Sequence, residues 1–96
     1  MSPNILLWTT STRDAFTDAL TAAGFRVWEA LAVSEVMSLC ESENIDVIIV
    51  SADITEPRYT EIRQHYITIK LEPKAETREI VETLWQMFPD RRVTVQ

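Results

Sequence analysis

The stretch GFRVWEALAVSEVMSLCESENIDVIIVSADI, residues 24–54, decides the fold. Gly24 is the only glycine of the chain and follows apolar residues at helical spacing, Ala15, Phe16, Ala19, Leu20 and Ala23. That is the place where a helix ends in left-handed backbone, a conformation open to glycine at little cost. Phe25 to Ala30 then reads as a strand. Val33 to Glu43 reads as a helix with Val33, Val36, Met37, Leu39 and Cys40 on its inner side. Asp46 opens Val47-Ile48-Ile49-Val50, which is β-branched throughout, as expected of a strand covered on both faces. A strand, a helix and a second strand in so short a span make a crossover unit, and crossover units build parallel sheets.

The pattern extends in both directions. Towards the N-terminus, Ile5 to Trp8 is another continuous apolar run. Ser11 and Asp14 are spaced as a capping box for the helix that ends at Gly24. Towards the C-terminus, Thr55 to His65 reads as a short helix, with Thr55 as cap and Pro57 in its first turn. Tyr66 to Leu71 is a fourth strand. Glu76 to Phe88 is an amphipathic helix with Ile80, Val81, Leu84, Trp85 and Phe88 on one face, ended by Pro89. Val93-Thr94-Val95 is either a short fifth strand at 93–95 or a tail. The expectation is a single domain, 1–96: an α/β fold with helices on both faces of a reduced parallel sheet of four strands, in the order 2-1-3-4.

Composition narrows the function. Nine basic against fifteen acidic residues give a net charge of −6, which argues against nucleic acid and against an anionic membrane surface as partners. No apolar run approaches the roughly 20 residues of a membrane span. The opening residues lack a signal-peptide layout. The single cysteine, Cys40, has no internal disulfide partner and suits a reducing compartment. These features lead to the expectation of a cytoplasmic protein.

At residues 24–54, and again at YITIKLEPKAETREIVETLW (residues 66–85), the chain resembles the receiver domain of response regulators. The resemblance covers most of Asn4 to Phe88. In that family a glycine closes the first helix, an aspartate opens the third strand, and a conserved lysine ends the last strand, where Lys70 stands here. The resemblance implies a flavodoxin-like three-layer αβα fold. The departures from the family are chemical. The acidic pair that should follow the first strand is replaced by Thr9 and Thr10. The position of the phosphorylated aspartate is Ser51. One strand–helix unit is missing, and with it the family's switch hydroxyl. Leu71 stands where a proline is expected after the lysine. The family's switch aromatic would fall at Ile67, one place from Tyr66.

Magnesium wants hard oxygen ligands that usually include carboxylates, and aspartyl phosphorylation needs that cation. The degenerate pocket Thr9, Thr10, Ser51, Asp53 and Lys70 is therefore expected to hold no metal and no cofactor, and the protein to be no enzyme. Asp53, two residues past Ser51, is either a displaced phosphoacceptor or a loop carboxylate, and the second reading is preferred. Lys70 is a relic or a partner for a nearby carboxylate such as Asp53. Cys40 is read as core, and His65 as a loop histidine with no partners at ligand spacing. Two functions remain. The first is a non-phosphorylatable, stand-alone pseudo-receiver acting as a protein–protein interaction module in signal transduction. It would form a homodimer through Tyr66, Ile67, Trp85 and Phe88. The alternative is a small ligand-binding domain sensing an anion or nucleotide at the Thr9–Arg13 turn.

Overall fold

The structure is a computed structural model of the chain and describes residues 3–10, 14–55, 57, 59–72 and 76–88. Strands and helices alternate as β1 (Asn4–Trp8), α1 (Asp14–Ala22), β2 (Arg26–Ala30), α2 (Val33–Ser42), β3 (Val47–Ser51), α3 (Tyr59–His65), β4 (Ile67–Leu71) and α4 (Thr77–Met87). The strands form one sheet in the order β2-β1-β3-β4, with every pairing parallel. This is a flavodoxin-like αβα fold on four strands, as the sequence led us to expect.

The central strands have apolar side chains on both faces, so the sheet separates two cores. Ile5, Leu7, Val47 and Ile49 meet Leu20 of α1 and Ile80 and Leu84 of α4. Leu6, Trp8, Ile48 and Val50 meet Val36 of α2 and Ile62 of α3. Thus α1 and α4 share one face, and α2 and α3 the other. This distribution gives the three strand-to-strand crossovers one common hand, as the right-handed rule for parallel crossovers requires.

Asp46 opens β3 for a local reason. Its amide donates to the Asn4 carbonyl at 2.8 Å, while its Oδ2 accepts the Asn4 amide at 2.8 Å. These two bonds fix the register at the start of β1 and β3. The end of α1 also matches its sequence signal. Gly24 has φ +103°, the Phe25 amide donates to the Leu20 carbonyl at 3.1 Å, and the Gly24 amide to that of Thr21 at 3.1 Å. Those two bonds are the Schellman closure of a helix.

Several boundaries shift. The third helix begins at Tyr59 rather than Thr55, so Thr55 does not cap it and Pro57 precedes its first turn. Residues after Ser51 are drawn into a turn instead, closed by the Ile54 amide on the Ser51 carbonyl at 3.0 Å. Phe25 is the link into β2, and Tyr66 the link into β4, its amide donating to Ile62 O at 3.0 Å. The capping box at Ser11 and Asp14 and the option of a strand at 93–95 lie outside the described residues.

Candidate functional site

The C-terminal ends of β1 and β3 meet at one corner of the sheet, the usual ligand position in parallel α/β folds. Side-by-side pairing of Trp8 with Val50 brings the residues that follow each strand together. The Thr9 amide donates to the Ala30 carbonyl at 3.1 Å, which ties the corner to β2 as well. On the other side the Ala52 amide donates to Leu71 O at 3.0 Å. Backbone bonds to both neighbouring strands therefore hold the two loops in place.

Within this frame one carboxylate gathers two hydroxyls. Thr10 Oγ1 donates to Asp53 Oδ2 at 2.7 Å, and Ser51 Oγ donates to Asp53 Oδ1. Ser51 is buried and Asp53 exposed, so the bonds tie an exposed carboxylate down onto the end of the sheet. Thr9 is also buried. Of the expected pocket residues, Thr9, Thr10, Ser51 and Asp53 are thus brought together.

Lys70 is not among them. It pairs in register with Val50, while Leu71 pairs with Ser51. Successive residues of a strand point to opposite faces, so Lys70 projects on the α2/α3 side, away from Ser51. It is exposed, and among the described residues no ion pair joins it to Asp53. Of the two readings of Lys70, the pairing with Asp53 is thus not seen among the described residues.

Among the described residues, the side-chain hydrogen bonds at this corner join one carboxylate to neutral hydroxyls. That is a poor donor set for a small divalent cation, which favours a concentration of hard, charged oxygens. Among the described residues no group of three or more His, Cys, Asp or Glu side chains is placed to hold a metal ion. Of the alternative anion turn, Ser11, Thr12 and Arg13 lie outside the described residues.

The four candidate interface residues do not form one patch. Trp85 and Phe88 pack into the α1/α4 core, with the Trp85 ring 4.5 Å from that of Phe25. Tyr66 packs into the opposite core. Ile67 alone stands bare, 53% exposed, on the outermost strand.

A second feature escaped sequence reasoning. Between α2 and α3 lies a groove of about 570 Å³ lined by Met37, Glu61, Ile62, His65 and Tyr66. Near it Tyr66 lies beside Cys40, which is half-buried, and the two side chains influence each other's proton affinity. Burial raises the Cys40 thiol above its usual range, and Tyr66 opposes that shift. Tyr66 is raised too, by burial first and then by Cys40 and Glu41. Cys40 and Tyr66 meet because the end of α2 and the start of β4 lie at the same end of the sheet. Only the topology carries that signal, since neither residue marks the other in sequence.

Among the described residues no helix is long and apolar enough to cross a membrane. No protein-family model matches the chain, and no curated protein matches it. Fold and corner together define a small, doubly wound α/β protein whose strand-end site holds hydroxyls around one carboxylate.

Proposed function

We propose that this chain is a pseudo-receiver, a cytoplasmic protein–protein interaction module in signal transduction that does not accept phosphate and acts as a homodimer. The observation that carries the first part is the state of Asp53. Both of its oxygens accept hydroxyl hydrogens, from Thr10 and Ser51. Where a phosphoacceptor corner needs a cation between several carboxylates, the described hydrogen-bond donors to this one are neutral hydroxyls. Phosphoryl transfer to a carboxylate depends on charge neutralisation at the transferring group, and here Thr9, Thr10 and Ser51 supply none. The strand order and the parallel pairings support the receiver-like reading, and the corner supports its inactive form.

The expected result is that incubation with acetyl phosphate and millimolar magnesium adds no mass to the protein and moves no amide resonance of Thr10, Ser51 or Asp53. A gain of one phosphoryl group that disappears in Asp53→Asn would overturn the reading and make Asp53 a displaced acceptor.

A further inference from the structure

The sheet ends at β4, and the groups on its outer rim can be assigned from one bond. Leu71 O accepts the Ala52 amide, so Leu71 turns its backbone groups towards β3. Backbone groups alternate in direction along a strand. Ile69 and Ile67 therefore also face β3, and Thr68 and Lys70 turn their N–H and C=O groups outwards. No described strand pairs with them. Such a rim is a template for another strand.

The chain itself is poorly placed to supply that strand. α4 lies on the same face as α1, whereas the crossovers that step from β2 to β3 and from β3 to β4 run over the α2/α3 face. Adding residues 93–95 parallel to β4 after a helix on the α1 face would need a left-handed connection, which parallel sheets almost never use. Adding them antiparallel would require residues 89–92 first to carry the chain from the end of α4 back along β4 and then turn. α4 also reaches away from this rim, since Trp85 packs on Phe25, the residue before β2. Ile67 consequently remains the most exposed of the large apolar side chains described.

We infer that the rim of β4 is occupied by β4 of a second copy, antiparallel and centred on Ile69, so that two four-stranded sheets become one of eight. This rests on the homodimer in the reading above and specifies where it forms. A two-fold axis through Ile69 places Thr68 opposite Lys70 of the second copy. Those are the residues with outward groups, so each such pair exchanges both N–H···O bonds at a Cα separation of about 5.5 Å. Ile69 then meets its own counterpart in the closer, non-bonded position at about 4.5 Å, and Ile67 meets Leu71. Apolar residues thus face apolar residues on the α1/α4 side. The single charge of the strand, Lys70, faces a threonine on the other. The rim of β2 is less suited to this pairing because Arg26 and Glu29 stand on that strand, and charges blunt an edge.

The test is sedimentation velocity of the full chain from 1 to 500 µM, with amide exchange followed residue by residue. Wild type is expected to be a dimer at the upper concentrations, with the Thr68 and Lys70 amides protected only in the dimer and the Ile69 amide protected in both states. Thr68→Pro removes an outward N–H and no bond to β3. It should weaken the dimer by at least about a hundredfold while leaving the Ile69 amide protected. Ile67→Lys should weaken it without touching the backbone. A monomer at 500 µM would overturn both this site and the homodimer. A dimer that survives Thr68→Pro and Ile67→Lys would keep the homodimer and overturn its place on β4. Protection of the Val93–Val95 amides in a monomer, with Thr68 protected as well, would mean that the chain seals its own edge and would also overturn the inference.

Discussion

Gly24→Val lowers the unfolding free energy by about 2–4 kcal/mol, through two effects at one atom. The residue sits at φ +103°, where a β-branched side chain is strained by about 1–3 kcal/mol. Its new Cβ would also lie 3.3 Å from Cζ2 and 3.7 Å from Cη2 of Trp85, closer than the first of those atoms tolerates without shifting. That ring is also packed on Phe25, its centroid 4.5 Å away. Gly24→Ala keeps the strain and the near contact but omits the branch, so it should fall between wild type and valine. Urea denaturation of the three proteins checks the order. An unchanged midpoint for valine would mean that α1 does not close through left-handed backbone at residue 24.

Trp8→Ala is expected to cost about 3–5 kcal/mol, the range for truncating a large buried aromatic. Trp8 is 2% exposed, packs among the side chains of the α2/α3 core, and has its ring 6.5 Å from that of Tyr59. A domain of this size commonly has only about 5–15 kcal/mol in total, so the variant should be marginal at 37 °C. The effect extends to the site. Trp8 is the last residue of β1, and Thr9 and Thr10 follow it directly. Loosening that strand end should release Asp53 from Thr10 before the whole domain unfolds. A loss below about 1 kcal/mol in thermal and urea unfolding would place the Trp8 ring outside the core.

These two residues show how legible the fold was. Gly24 marked the end of α1 because one backbone conformation demands one residue type. Asp46 and the run Val47–Val50 marked a buried strand because a continuous β-branched apolar run suits a strand covered on both faces. The start of α3 was misread because Thr55 and Pro57 carry helix-start chemistry, while a tertiary contact decides otherwise. The turn after Ser51 is spent in bringing Asp53 to the hydroxyls at the strand ends. The site was legible as a set of residues and illegible as an arrangement. Thr9, Thr10, Ser51 and Asp53 could be named from the resemblance to receiver domains, but the exclusion of Lys70 follows from strand parity, which needs the register. Tyr66 and Trp85 were grouped because both were expected beside the edge strand left by the missing unit, and the sheet puts them on opposite sides.

The parallel pairing has a consequence for how the chain acquires its shape. Asn4 pairs with Arg26, Ile5 with Val47, and Val47 with Ile67. Each partner is therefore a whole helix or more away along the chain, and the loop entropy of closure comes before any contact rewards it. β1, the first strand made, is also an inner strand. It has no neighbour on its second side until the chain has reached Ser51, and during synthesis it waits with Ile5, Leu6 and Leu7 uncovered. Refolding from urea, followed by tryptophan fluorescence, should accordingly take milliseconds or longer, well behind a helical bundle of equal length. A relaxation in microseconds would show that local helices, rather than the meeting of β1 with β3, set the rate.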